Sequence, residues 1–230
     1  MKKIFTLVSF VLLTVAVNAQ RKNAFTGFLN FNLSFPSGEF KDVNNTLGAG
    51  GRLGVLYNPS ENLPLYIGLE LGYQVMGQEN SSFYSTYFGF TDEYRISATN
   101  NVFTALVNLR FQSNKKTVAV KPFAEALFGA NDFFSTTTVE RETYNSSGTI
   151  SNSSSSKARW AMSYGGSVGL DIRLDKKGTV GLELRTSYLK GAHTKYLTDP
   201  IIDNAGYVSY AEKESETDMI VAQIGIKFGF

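Results

Sequence analysis

The sequence predicts an all-β protein: a closed antiparallel up-and-down β-barrel that crosses a membrane, built from eight strands, with ten as the alternative count. Three observations carry this expectation. Apolar residues alternate with small or charged ones in one segment after another. Glycine gathers on the polar side of that alternation, and the connections between segments alternate long and short.

The chain opens on a leader. Lys2 and Lys3 form a basic start, Ile4 to Val17 is uncharged and mostly apolar, and Val17-Asn18-Ala19 offers the small residues that a signal peptidase reads. The apolar run is too short to span a bilayer comfortably, and no second long apolar run follows it. Residues 1–19 are therefore expected to be a cleaved signal peptide and residues 20–230 one outer-membrane barrel domain. With no Cys in the chain, a lipid anchor and disulfide staples are both excluded. The leader holds two of the 22 basic residues and none of the 20 acidic ones, so the remainder balances at 20 against 20. The pI of 8.6 thus reflects the leader and gives no support to a nucleic-acid partner. A mean hydropathy of −0.11 rules out a bundle of membrane helices but not a barrel, in which half of each strand is polar.

The strands follow in order. Phe25 to Phe35 and Ala49 to Tyr57 alternate weakly. Leu65, Ile67, Leu69, Leu71, Tyr73 and Val75 alternate cleanly with Tyr66, Gly68, Glu70, Gly72 and Gln74. Phe103 to Phe111 and Val118 to Ala130 are weaker again. From Trp160 to Leu174 every even position is apolar or small, facing Ala161, Ser163, Gly165, Ser167, Gly169, Asp171 and Arg173. Val180, Leu182, Leu184 and Tyr188 form the seventh segment, and Ile220, Ala222, Ile224, Ile226, Phe228 and Phe230 the eighth. A period of two sustained this long belongs to strands and to no helix.

The composition of the polar face decides which way it points. Gly50, Gly54, Gly68, Gly72, Gly129, Gly165, Gly169, Gly181 and Gly225 all lie on it. Solvated strands do not favour glycine, which costs backbone entropy and packs nothing. A narrow lumen does favour it, because large side chains from eight strands cannot all fit inside. The apolar face then points outward, to lipid. The connections 36–46, 58–64, 77–93, 112–117, 131–157, 175–178 and 189–216 support this by alternating long and short, with the Ser-rich tract Asn145 to Ser156 expected to be mobile. Tyr57, Phe111 and Phe230 would form an aromatic girdle at one rim, and Tyr73, Trp160 and Tyr188 at the other.

On these strands, the glycine-rich inner face and the ending Ile-Gly-Ile-Lys-Phe-Gly-Phe, residues 25 to 230 resemble the small outer-membrane β-barrels of Gram-negative bacteria, porin-like or OmpA/OmpX-type. The resemblance implies that the terminal aromatic, Phe230, is the signal read by the barrel-assembly machinery. It also implies an outer-membrane location, with outer-membrane lipids as partners.

Candidate chemistry is sparse. Arg52, Arg110, Lys121, Arg159, Arg173, Arg185 and Lys227 share the inner face with Glu70, Glu125, Asp171 and Glu183, and in a narrow lumen they are expected to pair. A selectivity ring is the functional alternative. Gly48-Ala49-Gly50-Gly51 departs from the dinucleotide fingerprint, since Leu53 stands where its third Gly belongs. His193 is the single histidine; it precedes Thr194 and Lys195, so the His-x-Ser pattern of outer-membrane lipid A deacylases is absent. Asn80, Asn145 and Asn152 begin Asn-x-Ser triplets in an Asn/Ser-rich composition. No catalytic, cofactor-binding or metal-binding residue is assigned. The expected function is non-enzymatic: a barrel displaying long outer loops for envelope integrity, adhesion or ligand contact. A narrow small-solute channel and an outer-membrane lipid-modifying enzyme are the alternatives.

Overall fold

The computed structural model describes residues 24–87, 90–115, 118–142, 152–155, 159–175, 179–202 and 208–229. The strands are β1 (Phe25–Pro36), β2 (Gly48–Tyr57), β3 (Leu65–Tyr87), β4 (Phe90–Gln112), β5 (Val120–Glu142), β6 (Asn152–Ser155), β7 (Arg159–Arg173), β8 (Val180–Gly191), β9 (Thr194–Ile202), β10 (Val208–Ser215) and β11 (Met219–Gly229). A five-residue helix, α1 (Glu39–Val43), lies between β1 and β2. Among the described residues no helix is long and apolar enough to cross a membrane, and the crossing elements are strands.

Eight strands close into one antiparallel barrel in the order β4-β3-β2-β1-β11-β8-β7-β5, with β4 pairing β5 to complete the circle. Partners traced from Phe25 through Tyr57, Ile67, Leu109, Ala126, Gly166, Tyr188 and Ile220 return to β1 at Phe35. That circuit advances the register by ten positions. A rise of ~3.3 Å per residue against eight spacings of ~4.8 Å then tilts the strands by ~40°. Short turns join β2 to β3, β4 to β5 and β7 to β8 at one end, where β1 begins and β11 finishes. The other end carries α1, the β3–β4 hairpin, the β5–β7 connection and the β9–β10 hairpin.

The alternation sorts as the sequence predicts. Leu29, Leu53, Leu69, Phe128, Trp160, Val168 and Ile224 stand exposed on the outer wall, whereas their chain neighbours Asn30, Arg52, Glu70, Leu127, Ala161, Ser167 and Gln223 are buried inside. The outer wall is the lipid-facing surface of a transmembrane barrel. Of the two girdles, Phe111 is exposed at one rim and Tyr73, Trp160 and Tyr188 at the other. Tyr57 is half-buried, its ring 5.0 Å from that of Phe25, and Phe230 lies outside the described residues. Crowding explains the inward glycines. A Cβ added at Gly50, Gly129, Gly165 or Gly225 would collide with the carbonyl of Tyr73, Ala105, Tyr188 or Leu29 on the adjacent strand.

Three connections differ from the sequence reading. Residues 77–93, expected to be a loop, are mostly strand: β3 and β4 stay paired out to Tyr87 and Phe90. β5 keeps pace, pairing β4 as far as Glu142. Residues 194–215 contain the β9–β10 hairpin, a separate two-stranded sheet outside the barrel wall. The wall therefore has eight strands, and the additional hairpin does not make it ten. Within the Ser-rich tract, Asn152–Ser155 forms β6, pairing Thr136–Val139 of β5, and the rest of the tract lies outside the described residues. Physically, Thr and Tyr favour strands and, with the Ser residues between them, mark no face as apolar, so outside lipid the barrel's signature disappears while pairing continues. A bulge between Val75 and Gln78 marks where β3 leaves the barrel, and Gly77 there has φ +94°, which only glycine adopts freely.

Candidate functional site

Among the described residues, the fold concentrates its charged side chains in the interior. Register and tilt bring residues from all eight barrel strands together at mid-barrel. Arg52 on β2 donates to Glu70 on β3 at 3.0 Å. Arg185 on β8 donates to Glu70 at 2.7 Å and to Glu125 on β5 at 3.1 Å, and also to Gln223 on β11. Arg110 on β4 donates to Glu125 at 2.5 Å and to Glu183 on β8 at 2.7 Å. Three guanidinium groups thus meet three carboxylates, all buried. Neutral donors complete the shell: Asn30 to Glu183 at 2.9 Å, Asn108 to Glu70 at 2.9 Å and Ser167 to Glu125 at 2.5 Å. Charges this deep are tolerable only when paired, and each of the six is, although Arg52 Nη2 and Arg110 Nη2 are buried without a hydrogen-bond partner among the described residues.

Aromatic rings support the cluster from the turn end. The Arg110 guanidinium lies 3.9 Å from the ring centre of Phe123 and 5.9 Å from that of Phe28, and Arg185 lies 5.3 Å from Phe28. Each ring lies over a glycine of the neighbouring strand: a Cβ at Gly54 would strike Phe28, and one at Gly169 would strike Phe123. Below them Lys227 donates to Asp171 at 2.5 Å and to Gln112 at 3.1 Å, and Gln112 donates to the same Asp171 oxygen at 2.9 Å.

Toward the loop end the interior becomes apolar. Phe40 of α1 is buried with Met76, Val102, Leu106, Leu127, Phe133, Leu189 and Met219. The Phe40 and Phe133 rings meet edge to face at 5.9 Å. Between this plug and the charges, Gln74 accepts from Asn32 at 2.8 Å and from Ser34 at 2.6 Å. Among the described residues, bonded polar side chains occupy the lumen and the plug around Phe40 occupies its loop end.

Eight of the eleven inner-face charges read from the sequence therefore meet in two bonded groups. Lys121, Arg159 and Arg173 lie half-buried nearer the strand ends and are engaged in contacts as well. Phe28, Phe123 and Phe40 were missed. Inward aromatics opposite glycine could have revealed the first two, whereas a five-residue helix offers no usable period to reveal the third. His193 is exposed, with Nδ1 3.1 Å from Glu214 Oε1. Among the described residues no group of three His, Cys, Asp or Glu is placed to hold a metal ion.

No protein-family model and no curated protein matches the sequence. Solved structures do match at low identity. Neisserial surface protein A is 11% identical over 91% of this chain and 99% of its own, with a TM-score of 0.46. OprG from Pseudomonas aeruginosa is 14% identical over 91% and 97%, with a TM-score of 0.47. Ail, the attachment invasion locus protein of Yersinia pestis, is 11% identical over 90% and 96%, with a TM-score of 0.43. Judged by its own geometry, eight antiparallel strands closed on themselves with lipid-compatible residues outside and bonded polar residues within, the chain has the fold of the small outer-membrane β-barrels.

Proposed function

We propose that this chain is an integral protein of the bacterial outer membrane without a catalytic role. Its closed barrel carries outer loops and hairpins that serve envelope integrity, adhesion or ligand contact. The observation that carries the reading is the filled interior: the charges that could line a path are bonded to one another, and a plug around Phe40 occupies the outer half. The reading includes export by a leader cleaved after Ala19 and insertion by the barrel-assembly machinery through the strand ending at Phe230. It places the short turns in the periplasm and the long connections outside the cell, as short and long connections are arranged in bacterial barrels.

Planar-bilayer recording of the purified protein tests this. The expected result is an absence of conductance steps under conditions where a porin control conducts. Stable steps would replace the reading with the narrow small-solute channel. Altered acylation of lipid A or phospholipid on expression would replace it with the lipid-modifying enzyme.

A further inference from the structure

At the turn end, the β2–β3 and β4–β5 turns border a shallow, open recess on the outer wall, lined by Glu61, Pro64, Phe111, Asn114, Lys115 and Pro122. Its apolar side is continuous with the lipid-facing surface, because Phe111 is 54% exposed and Pro122, of the same outward parity, is also exposed. Its polar side is held by Asn114. That side chain accepts from Tyr66 Oη at 2.6 Å and donates to the carbonyls of Glu61 at 3.0 Å and Leu63 at 2.5 Å, tying one turn to the other. Glu61 and Lys115 are both exposed on the recess and, among the described residues, form no ion pair with each other. A recess that is apolar toward the bilayer and, among the described residues, bears one anion and one cation toward water matches an amphiphile with a zwitterionic head.

We propose that this recess binds the headgroup of an aminophospholipid from the inner leaflet. Lys115 meets the phosphate, Glu61 accepts from the primary ammonium, and the acyl chains run along Phe111 and Pro122. The inference rests on the outer-membrane reading above. The Glu61 carboxylate makes the site selective, since it repels a purely anionic head and finds no N–H donor on a quaternary one.

Native mass spectrometry of the full-length barrel tests this, with equimolar phosphatidylethanolamine, phosphatidylcholine and phosphatidylglycerol of identical chains. The ethanolamine lipid should be retained preferentially. Lys115→Ala should lower its adduct roughly two- to fivefold, the range of one exposed charge contact. Glu61→Gln should instead erase the preference over phosphatidylglycerol. Both positions lie on exposed turns, and unchanged heat-modifiable migration of each variant confirms that it folds. Equal retention of all three lipids by the parent, or a preference unmoved by both variants, overturns the headgroup site and leaves the membrane reading intact. Solubility without detergent and retention of no lipid would overturn both.

Discussion

Arg185 donates to Glu70 at 2.7 Å although the two residues stand on opposite walls of the barrel, with β2, β1 and β11 between them on one side and β4, β5 and β7 on the other. A single hydrogen bond thus spans the lumen, and it belongs to a six-member cluster with no excess charge.

Removing one member strands the others. Arg185→Met leaves Glu70 and Glu125 short of a cation and is expected to cost about 3–5 kcal/mol in a reversible urea titration. Adding Glu70→Gln should recover part of the loss, with a coupling of roughly 0.5–3 kcal/mol. Strict additivity of the two changes would mean that the pair does not act as a unit.

The two faces can be told apart with matched substitutions. Leu69 is 61% exposed on the outer wall and Leu106 is 3% exposed within. Leu69→Phe should change stability by less than ~1 kcal/mol because lipid accommodates the volume, whereas Leu106→Phe should cost about 1–3 kcal/mol by overpacking the plug. Leu69→Arg and Leu184→Arg place a charge at mid-membrane and should each cost about 2–4 kcal/mol. The same folding assay would reverse the face assignment if Leu106→Phe were the milder aromatic change.

The sides of the membrane are open to labelling because the chain has no native Cys. A membrane-impermeant maleimide on intact cells should modify Tyr84→Cys and His193→Cys. Asn62→Cys and Lys115→Cys should react only after the envelope is broken. The opposite pattern would invert the topology. Ser151, Lys177 and Asn204, which the same logic places outside, in the periplasm and outside respectively, lie outside the described residues.

Export predicts a mature protein that begins at Gln20. Intact mass of the protein from outer membranes should match residues 20–230, within a residue or two of that cleavage point. A mass that retains residues 1–19 would remove the leader from the account.

The wall was legible in the sequence because its rule is local: successive side chains point to opposite faces, and lipid outside makes one face apolar. The membership of the inner face, Arg52 and Glu70 through Lys227, was legible for the same reason. The partnerships within it were not. That Arg185 reaches Glu70 across the barrel at 2.7 Å, as well as Glu183 on its own strand at 4.0 Å, depends on tilt and closure, and no short window of residues encodes these. The extensions of β3 and β4 were illegible for a different reason. Beyond the bilayer both faces of a strand are wet, so alternation that marks Leu65 to Val75 has no counterpart from Gln78 to Tyr87.

The circuit from Phe25 to Phe35 bears on how the barrel is assembled. Most seams join strands that follow one another in the chain, but the closing seam joins β1 to β11, with Thr26 opposite Gly229. Its two edges are nearly a whole chain apart, so it carries the largest loop-closure entropy of the eight seams. A slip of one residue there would expose its error at once by turning lumen side chains into lipid. A slip of two would keep the faces right and pass that check, yet it would change the stagger and therefore the width of the cylinder. Arg185 and Glu70 reach across that width, and their 2.7 Å contact is made at this diameter. The interior pairing of Arg185 with Glu70 is thus matched to this stagger, and a closure two residues out of register would have to re-pair the buried charges.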